Sequence, residues 1–174
     1  MKPKPDDVKE LLEGPAAFDL LHYAGHGEAD ERDLDDAQLV LSESWQAELQ
    51  GYVPVPLTIP NVQQYAKLAD DHGNRPMVVL NACQVGREGK LFGRIGGFAR
   101  AFLTTGAGVF VSTLWSVGDK PARNFTEGLY TELRARRTLS EATRAARARA
   151  RRARDATWLS YVVYGSPYTK VVFP

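Results

Sequence analysis

Short apolar runs alternate along this chain with segments of helical period. "AFDLLHY", "MVVLNAC", "GVFVSTLW" and "YVVYG" are continuous in valine, leucine and aromatics, the pattern of strands buried on both faces. "DAQLVLSES" is apolar on one side only and predicts a short edge strand or hairpin arm. Between them, "LTIPNVQQYAKLADDHG" predicts a crossover helix capped by Thr58, with Pro60 in the first turn and Gly73 as its stop. Its inward face would be Val62, Tyr65, Ala66 and Ala69. "GGFARAFLTTGAG" predicts a helix ending at Gly106, and "DKPARNFTEGLYTELRARR" one capped by Asp119 with Ala122, Phe125, Leu129 and Leu133 inward. A last stripe of Leu139, Ala142, Ala146, Ala150 and Ala153 would let its helix sit close against a sheet. The alternation predicts an α/β fold, a mostly parallel central sheet covered by helices on both faces. No repeat or linker divides residues 1–174, which read as one domain.

Composition narrows the class further. The 174 residues are 44% hydrophobic and 25% charged, enough apolar material for one core. No run approaches the ~18 apolar residues of a membrane span, and "MKPKPDDVKE" has no apolar centre of the kind an export signal needs. These features predict a cytoplasmic protein without a membrane partner. Cys83 is the only cysteine, so no internal disulfide or cysteine zinc cage can form, and the three histidines lack metal-ligand spacing. No metal or cofactor is expected. The net charge of +1 hides an uneven distribution, since Arg134 to Arg154 holds nine arginines and one glutamate. That stripe reads first as a solvated helix face and second as a surface for nucleic acid or an acidic partner.

The candidate chemistry lies in "LLHYAGHGEAD" and "MVVLNACQVG". In an open parallel sheet, reactive groups gather beyond the carboxyl ends of the strands. Two different strands would there deliver His26 and Cys83 to one rim. An imidazolium beside a thiol lowers the thiol pKa and produces the nucleophilic thiolate, and the same ring can then protonate a leaving amine. Gly25 and Gly27 leave the histidine without side-chain walls, and the Gly27 N–H paired with that of Cys83 would make an oxyanion hole. His22, four residues earlier, would point into packing. Trp115 and Trp158 read as packing anchors.

These motifs resemble the CHAT domains, caspase-like proteins of the caspase–separase group of cysteine peptidases. "HYAGHGE" resembles the histidine motif, "VVLNACQVG" the cysteine motif, "GGFARAFLTTGAGVFVSTLWSVGDKPA" the helix, strand and tryptophan-bearing loop, and "WLSYVVYGSP" the closing strand. The resemblance runs from Phe18 to Val172. It implies a cysteine endopeptidase with Cys83 as nucleophile, His26 as general base and acid, and Gly27 and Cys83 as backbone oxyanion donors. It also implies a peptide groove along Ser112, Thr113, Leu114 and Trp115, with Asp119 nearby either to attract a basic side chain or to cap the next helix.

In the family another strand and helix precede the histidine strand, whereas "MKPKPDDVKELLEGPAA" allows only a short helix. The amino-terminal strand of the usual fold is therefore expected to be absent, the chain being either a carboxyl-terminal piece of a larger protein or a minimal domain, with its exposed edge covered by an oligomer or partner chain. The resemblance further implies control by a sensor module, as in bacterial defence systems, and the alanine- and arginine-rich composition is compatible with a bacterial source. "VGREGKLFGRIGG" reads as a loop that orders on activation. A catalytically idle scaffold and a nucleic-acid-binding module are the competing classes. A serine hydrolase is disfavoured, since no Gly-x-Ser-x-Gly elbow occurs.

Overall fold

A computed structural model describes residues 5–14, 18–28, 37–82, 97–152 and 156–172. The short helix expected at the start is α1 (Pro5–Glu13). The four continuous apolar runs form one sheet from β1 (Leu20–Ala24), β5 (Met77–Asn81), β6 (Val109–Thr113) and β7 (Tyr161–Tyr164), in the order β1-β5-β6-β7. β1, β5 and β6 run parallel and β7 closes the sheet antiparallel. β1 stands at the other end with β5 as its one strand neighbour among the described residues.

The sheet is covered on both faces, as its continuous apolar strands require. Val78, Leu80 and Phe110 pack with Phe98 and Phe102 of α3 (Gly97–Thr104). The alternate residues Met77, Val79, Val109 and Val111 pack with Phe125, Leu129 and Leu133 of α4 (Asp119–Arg134) and with the alanines of α5 (Leu139–Arg151). Ala142, Ala146 and Ala150 are buried as their spacing predicts, while Ala153 lies outside the described residues. The closest approach of α5 is to α4, where a Cβ on Gly128 would come within 3.1 Å of the Ala146 Cα. A larger residue at either place would push the two helices apart.

The hairpin arm is longer than the polar flanks suggested. β3 (Gln38–Gln46) pairs antiparallel with β4 (Gly51–Thr58) and with the two-residue β2 (Gly27–Glu28), making a second sheet ordered β2-β3-β4. β4 carries Pro54 and Pro56, which hide it in the sequence, and its position at the sheet edge tolerates their missing N–H groups. The carboxyl-terminal turn α6 (Thr157–Ser160) leads directly into β7.

Two boundaries correct the sequence reading. α2 (Ile59–Tyr65) starts at the expected Thr58 cap, with Asn61 completing a capping box, but it stops well before Gly73. Beyond it Lys67 N–H donates to the Leu12 carbonyl and Leu68 N–H to that of Thr105. These tertiary bonds take the chain out of the helix, so Leu68 is buried where Ala69 was expected. Gly73 turns a separate loop in the left-handed region, at φ 82°. At α4 the cap position belongs to Gly118, and Asp119 sits in the first turn without a side-chain capping bond.

Candidate active site

β1 and β5 are neighbours in parallel register, Ala24 beside Asn81, so both end at the same rim. The turn after β1 is held there when Gly25 N–H donates to the Asn81 carbonyl at 3.2 Å. Gly25 has a steric cause: a Cβ there would meet the Tyr23 hydroxyl at 2.6 Å and the ring carbon Cζ at 2.8 Å. That ring folds under the turn to a purpose. Its hydroxyl lies 2.9 Å from the His26 carbonyl and 2.8 Å from the Val40 carbonyl, and Val40 N–H donates to the same His26 carbonyl at 3.0 Å. Burial raises the Tyr23 pKa, which keeps the hydroxyl a donor.

The backbone of His26 is thus fixed by two donors while its side chain stays exposed. The Val40 bond also sets the ladder: with Val40 N–H on the His26 carbonyl, Gly27 and Leu39 are a non-hydrogen-bonded pair, so β3 does not use the Gly27 N–H. His26 opens onto a cleft of 710 Å³ shared with His22, Asn81, Ala82, Val117 and Asp119. Cys83 follows Ala82 in the chain and lies outside the described residues, as does the expected activation loop through Ile95 and Gly96.

Below the rim runs a polar network that sequence reading missed. Asn81 donates through Nδ2 to Thr126 Oγ1 at 3.1 Å and accepts through Oδ1 from the Tyr161 hydroxyl at 2.9 Å. Thr126 spends its own hydrogen on the Ala122 carbonyl, so only the Asn81 amide can supply the bond between them. The same Nδ2 faces His22 Nε2 at 3.1 Å, which makes that ring nitrogen the acceptor and leaves the proton on Nδ1, 3.1 Å from the Tyr130 hydroxyl. Burial lowers the His22 pKa, in keeping with a neutral ring, and pushes that of Tyr130 up to about 12. His22 therefore does not simply point into packing. It ties β1 to β5 and α4 beside the cleft, and its one sequence signal was a histidine inside an apolar strand.

The expected peptide groove is corrected in part. Ser112 and Thr113 are fully buried. Ser112 is paired with Leu80 on one side and Val162 on the other, and Thr113 is paired with Tyr161 and donates through its hydroxyl to the Ala82 carbonyl at 2.8 Å. Neither offers an edge to a peptide. Leu114 N–H is taken by the Ser160 carbonyl, and beyond it the chain emerges, with Trp115 38% exposed. Asp119 lines the cleft, while its neighbour Glu127 is committed to Arg123 at 2.6 Å and Arg149 at 2.7 Å. Those two guanidiniums hold the Glu127 carboxyl low. Asp119 is left as the carboxylate of the cleft wall without an ion pair among the described residues.

Comparison with known proteins bears on the family and the fold. A family model described as the CHAT domain matches residues 3–166. The fold is similar to the Arg-specific cysteine proteinase gingipain R, with a TM-score of 0.62 and 17% identity over 97% of this chain. It is similar also to a structure described only as a protease, with a TM-score of 0.60 and 14% identity over 98%. The chain spans 36% and 38% of those two chains, about a third of their length. No curated protein matches. The mixed α/β architecture, a mostly parallel sheet between helices, is the fold this chain shares with these two structures.

Proposed function

The chain belongs to the CHAT domain family, and from that premise we propose that it is a cysteine endopeptidase working through Cys83 and His26. The observation that carries the reading is the treatment of His26. Its carbonyl is held by both Tyr23 and Val40 while its ring lies open in a cleft whose described lining includes Ala82, the residue before Cys83 in the chain. A purely structural turn histidine has no need of a doubly anchored backbone and a free ring.

In the reaction His26 takes the proton of the Cys83 thiol, and the sulfur attacks the scissile carbonyl carbon. The carbonyl oxygen becomes an oxyanion facing the N–H groups of Gly27 and Cys83, an interaction worth about 3 kcal/mol or more per donor. The intermediate collapses as the C–N bond breaks and the imidazolium protonates the departing amine, leaving a thioester. Water then gives a proton to His26 and its oxygen to the acyl carbon, and the sulfur leaves. Asp119, which lines the cleft without an ion pair among the described residues, favours a basic substrate side chain. Control by a sensor module or partner chain is part of the same reading.

The test is the rate of alkylation of Cys83 by iodoacetamide from about pH 5 to about pH 9, in the wild type and in His26→Ala. A thiol reactive well below its ordinary pKa of about 8.5, and dependent on His26, supports the dyad. An equally slow thiol in both proteins leaves either the idle scaffold or an enzyme that waits for its partner chain.

A further inference from the structure

The arginine-rich stretch does not form one continuous stripe. Arg149 turns toward α4 and pairs with Glu127. Arg144, Arg147 and Arg151, at i, i+3 and i+7 of α5, line a separate groove of 540 Å³ with Ser140, Thr143 and Trp158. This groove shares no residue with the His26 cleft. Its volume is that of a small-molecule site and not of an extended track.

Its charge is one-sided. Among the described residues no acidic side chain lines it and none of its three arginines has a carboxylate within ion-pair distance, Glu141 acting on Arg144 only at longer range. Arg147 is half-buried. One of its terminal nitrogens donates to the Tyr161 carbonyl at 2.9 Å, while its Nε is buried without an acceptor among the described residues, as is the Thr143 hydroxyl one helical turn away. A guanidinium partly withdrawn from water with no counter-charge among the described residues is costly, and a bound anion would offset that cost. At the far end the Arg151 guanidinium lies over the Trp158 ring, 5.5 Å from its centroid, a flat cationic and aromatic platform of the kind on which a heterocyclic base stacks. The helix rise separates Arg144 from Arg151 by about 10.5 Å.

We propose that this groove binds a nucleoside polyphosphate, its base against Arg151 and Trp158 and its phosphates on Arg144 and Arg147. A bare anion would leave the platform unused, and a nucleic-acid strand would need the basic residues to continue along one face, which the Arg149–Glu127 pair interrupts.

The experiment is calorimetric titration of the full chain with ATP, with inorganic tripolyphosphate and with a short oligothymidylate. Saturable one-to-one binding of ATP is expected, about tenfold or more tighter than tripolyphosphate and weakened by salt. Arg144→Gln/Arg151→Gln removes two charges that make no hydrogen bond within the described fold, and should weaken ATP about tenfold or more. Arg134→Gln/Arg136→Gln, outside the groove, should bind as the wild type does. The proposal is overturned by no saturation up to about 1 mM ATP, by equal affinity for tripolyphosphate, by equal losses in the two double variants, or by the oligothymidylate displacing ATP at far lower concentration.

Discussion

Replacing Tyr161 by phenylalanine isolates the polar network beneath the cleft. Tyr161 is 1% exposed, and its ring stacks on Phe125 with centroids 3.6 Å apart and planes 6° from parallel. Phenylalanine keeps that stack and removes one oxygen. What is lost is the hydroxyl bond to Asn81 Oδ1 at 2.9 Å, the longer approach to the Ala122 carbonyl at 3.5 Å adding little. An orphaned buried acceptor costs about 1 to 3 kcal/mol. Asn81 borders the cleft, where water can reach part of its amide, so the expected loss lies near the lower end, about 1 to 1.5 kcal/mol. For a chain of this size that is a fall in Tm of about 2 to 6 °C. Urea unfolding should show a lower midpoint at an unchanged slope, and a double-mutant cycle with Asn81→Ala should return a coupling of about 1 kcal/mol. A variant within about 0.3 kcal/mol of the wild type, with no coupling to Asn81, would refute the bond and the orientation assigned to the Asn81 amide.

Other consequences concern His22, Thr138 and Tyr23. Burial holds the folded His22 pKa below the ~6.5 at which the unfolded chain takes up a proton; stability should therefore be complete above that pH and fall below it. The slope is at most about 1.4 kcal/mol per unit, reduced by the ring's opening to the cleft, and His22→Gln should flatten the profile of urea midpoints between about pH 5 and pH 7.5. Thr138 closes a capping box on α5, its N–H on Glu141 Oε2 at 2.9 Å and its hydroxyl accepting from the Glu141 N–H. Thr138→Ala should cost about 1 kcal/mol in the same assay. Tyr23→Phe should cost a similar amount and also slow the His26-dependent alkylation of Cys83; a stability loss with an unchanged rate would make the hydroxyl structural only.

The sheet was legible because strands buried on both faces must be apolar along most of their length, and "MVVL" and "VFV" satisfy that by themselves. The inward faces of α4 and α5 were legible for the same reason at helical period. What escaped was set by partners distant in sequence. α2 ends where it does because Leu12 and Thr105 offer carbonyls to Lys67 and Leu68, which no local pattern reports. Asn81 looks like an intrusion in an apolar strand until Thr126 and Tyr161, far along the chain, are seen to satisfy it. Asp119 has the composition of a cap, yet Gly118 already provides the turn into the helix and the carboxylate faces the cleft. At the site, the motifs located His26 and the turn that carries it, while the groove reading failed at Ser112 and Thr113 because a strand lying between two others keeps no free edge.

The small second sheet, half of it unread in the sequence, bears on the chemistry more than its size suggests. A parallel sheet brings β1 and β5 to one rim but does not say how the turn beyond β1 is oriented, and an imidazole on an unanchored glycine-flanked turn would spread its ring over many positions. β3 removes that freedom. Its Val40 supplies the N–H that fixes the His26 carbonyl and the carbonyl that shares the Tyr23 hydroxyl. The register shift between Val40 and Ser42 falls beside this contact, where a bulge re-aims the strand. Gly25 and Gly27 then have different reasons to be glycine: the first clears the Tyr23 ring, and the second leaves an N–H that the ladder does not consume. The glycines that leave the histidine without side-chain walls thus belong to a turn held from below by a tyrosine and from the side by a hairpin.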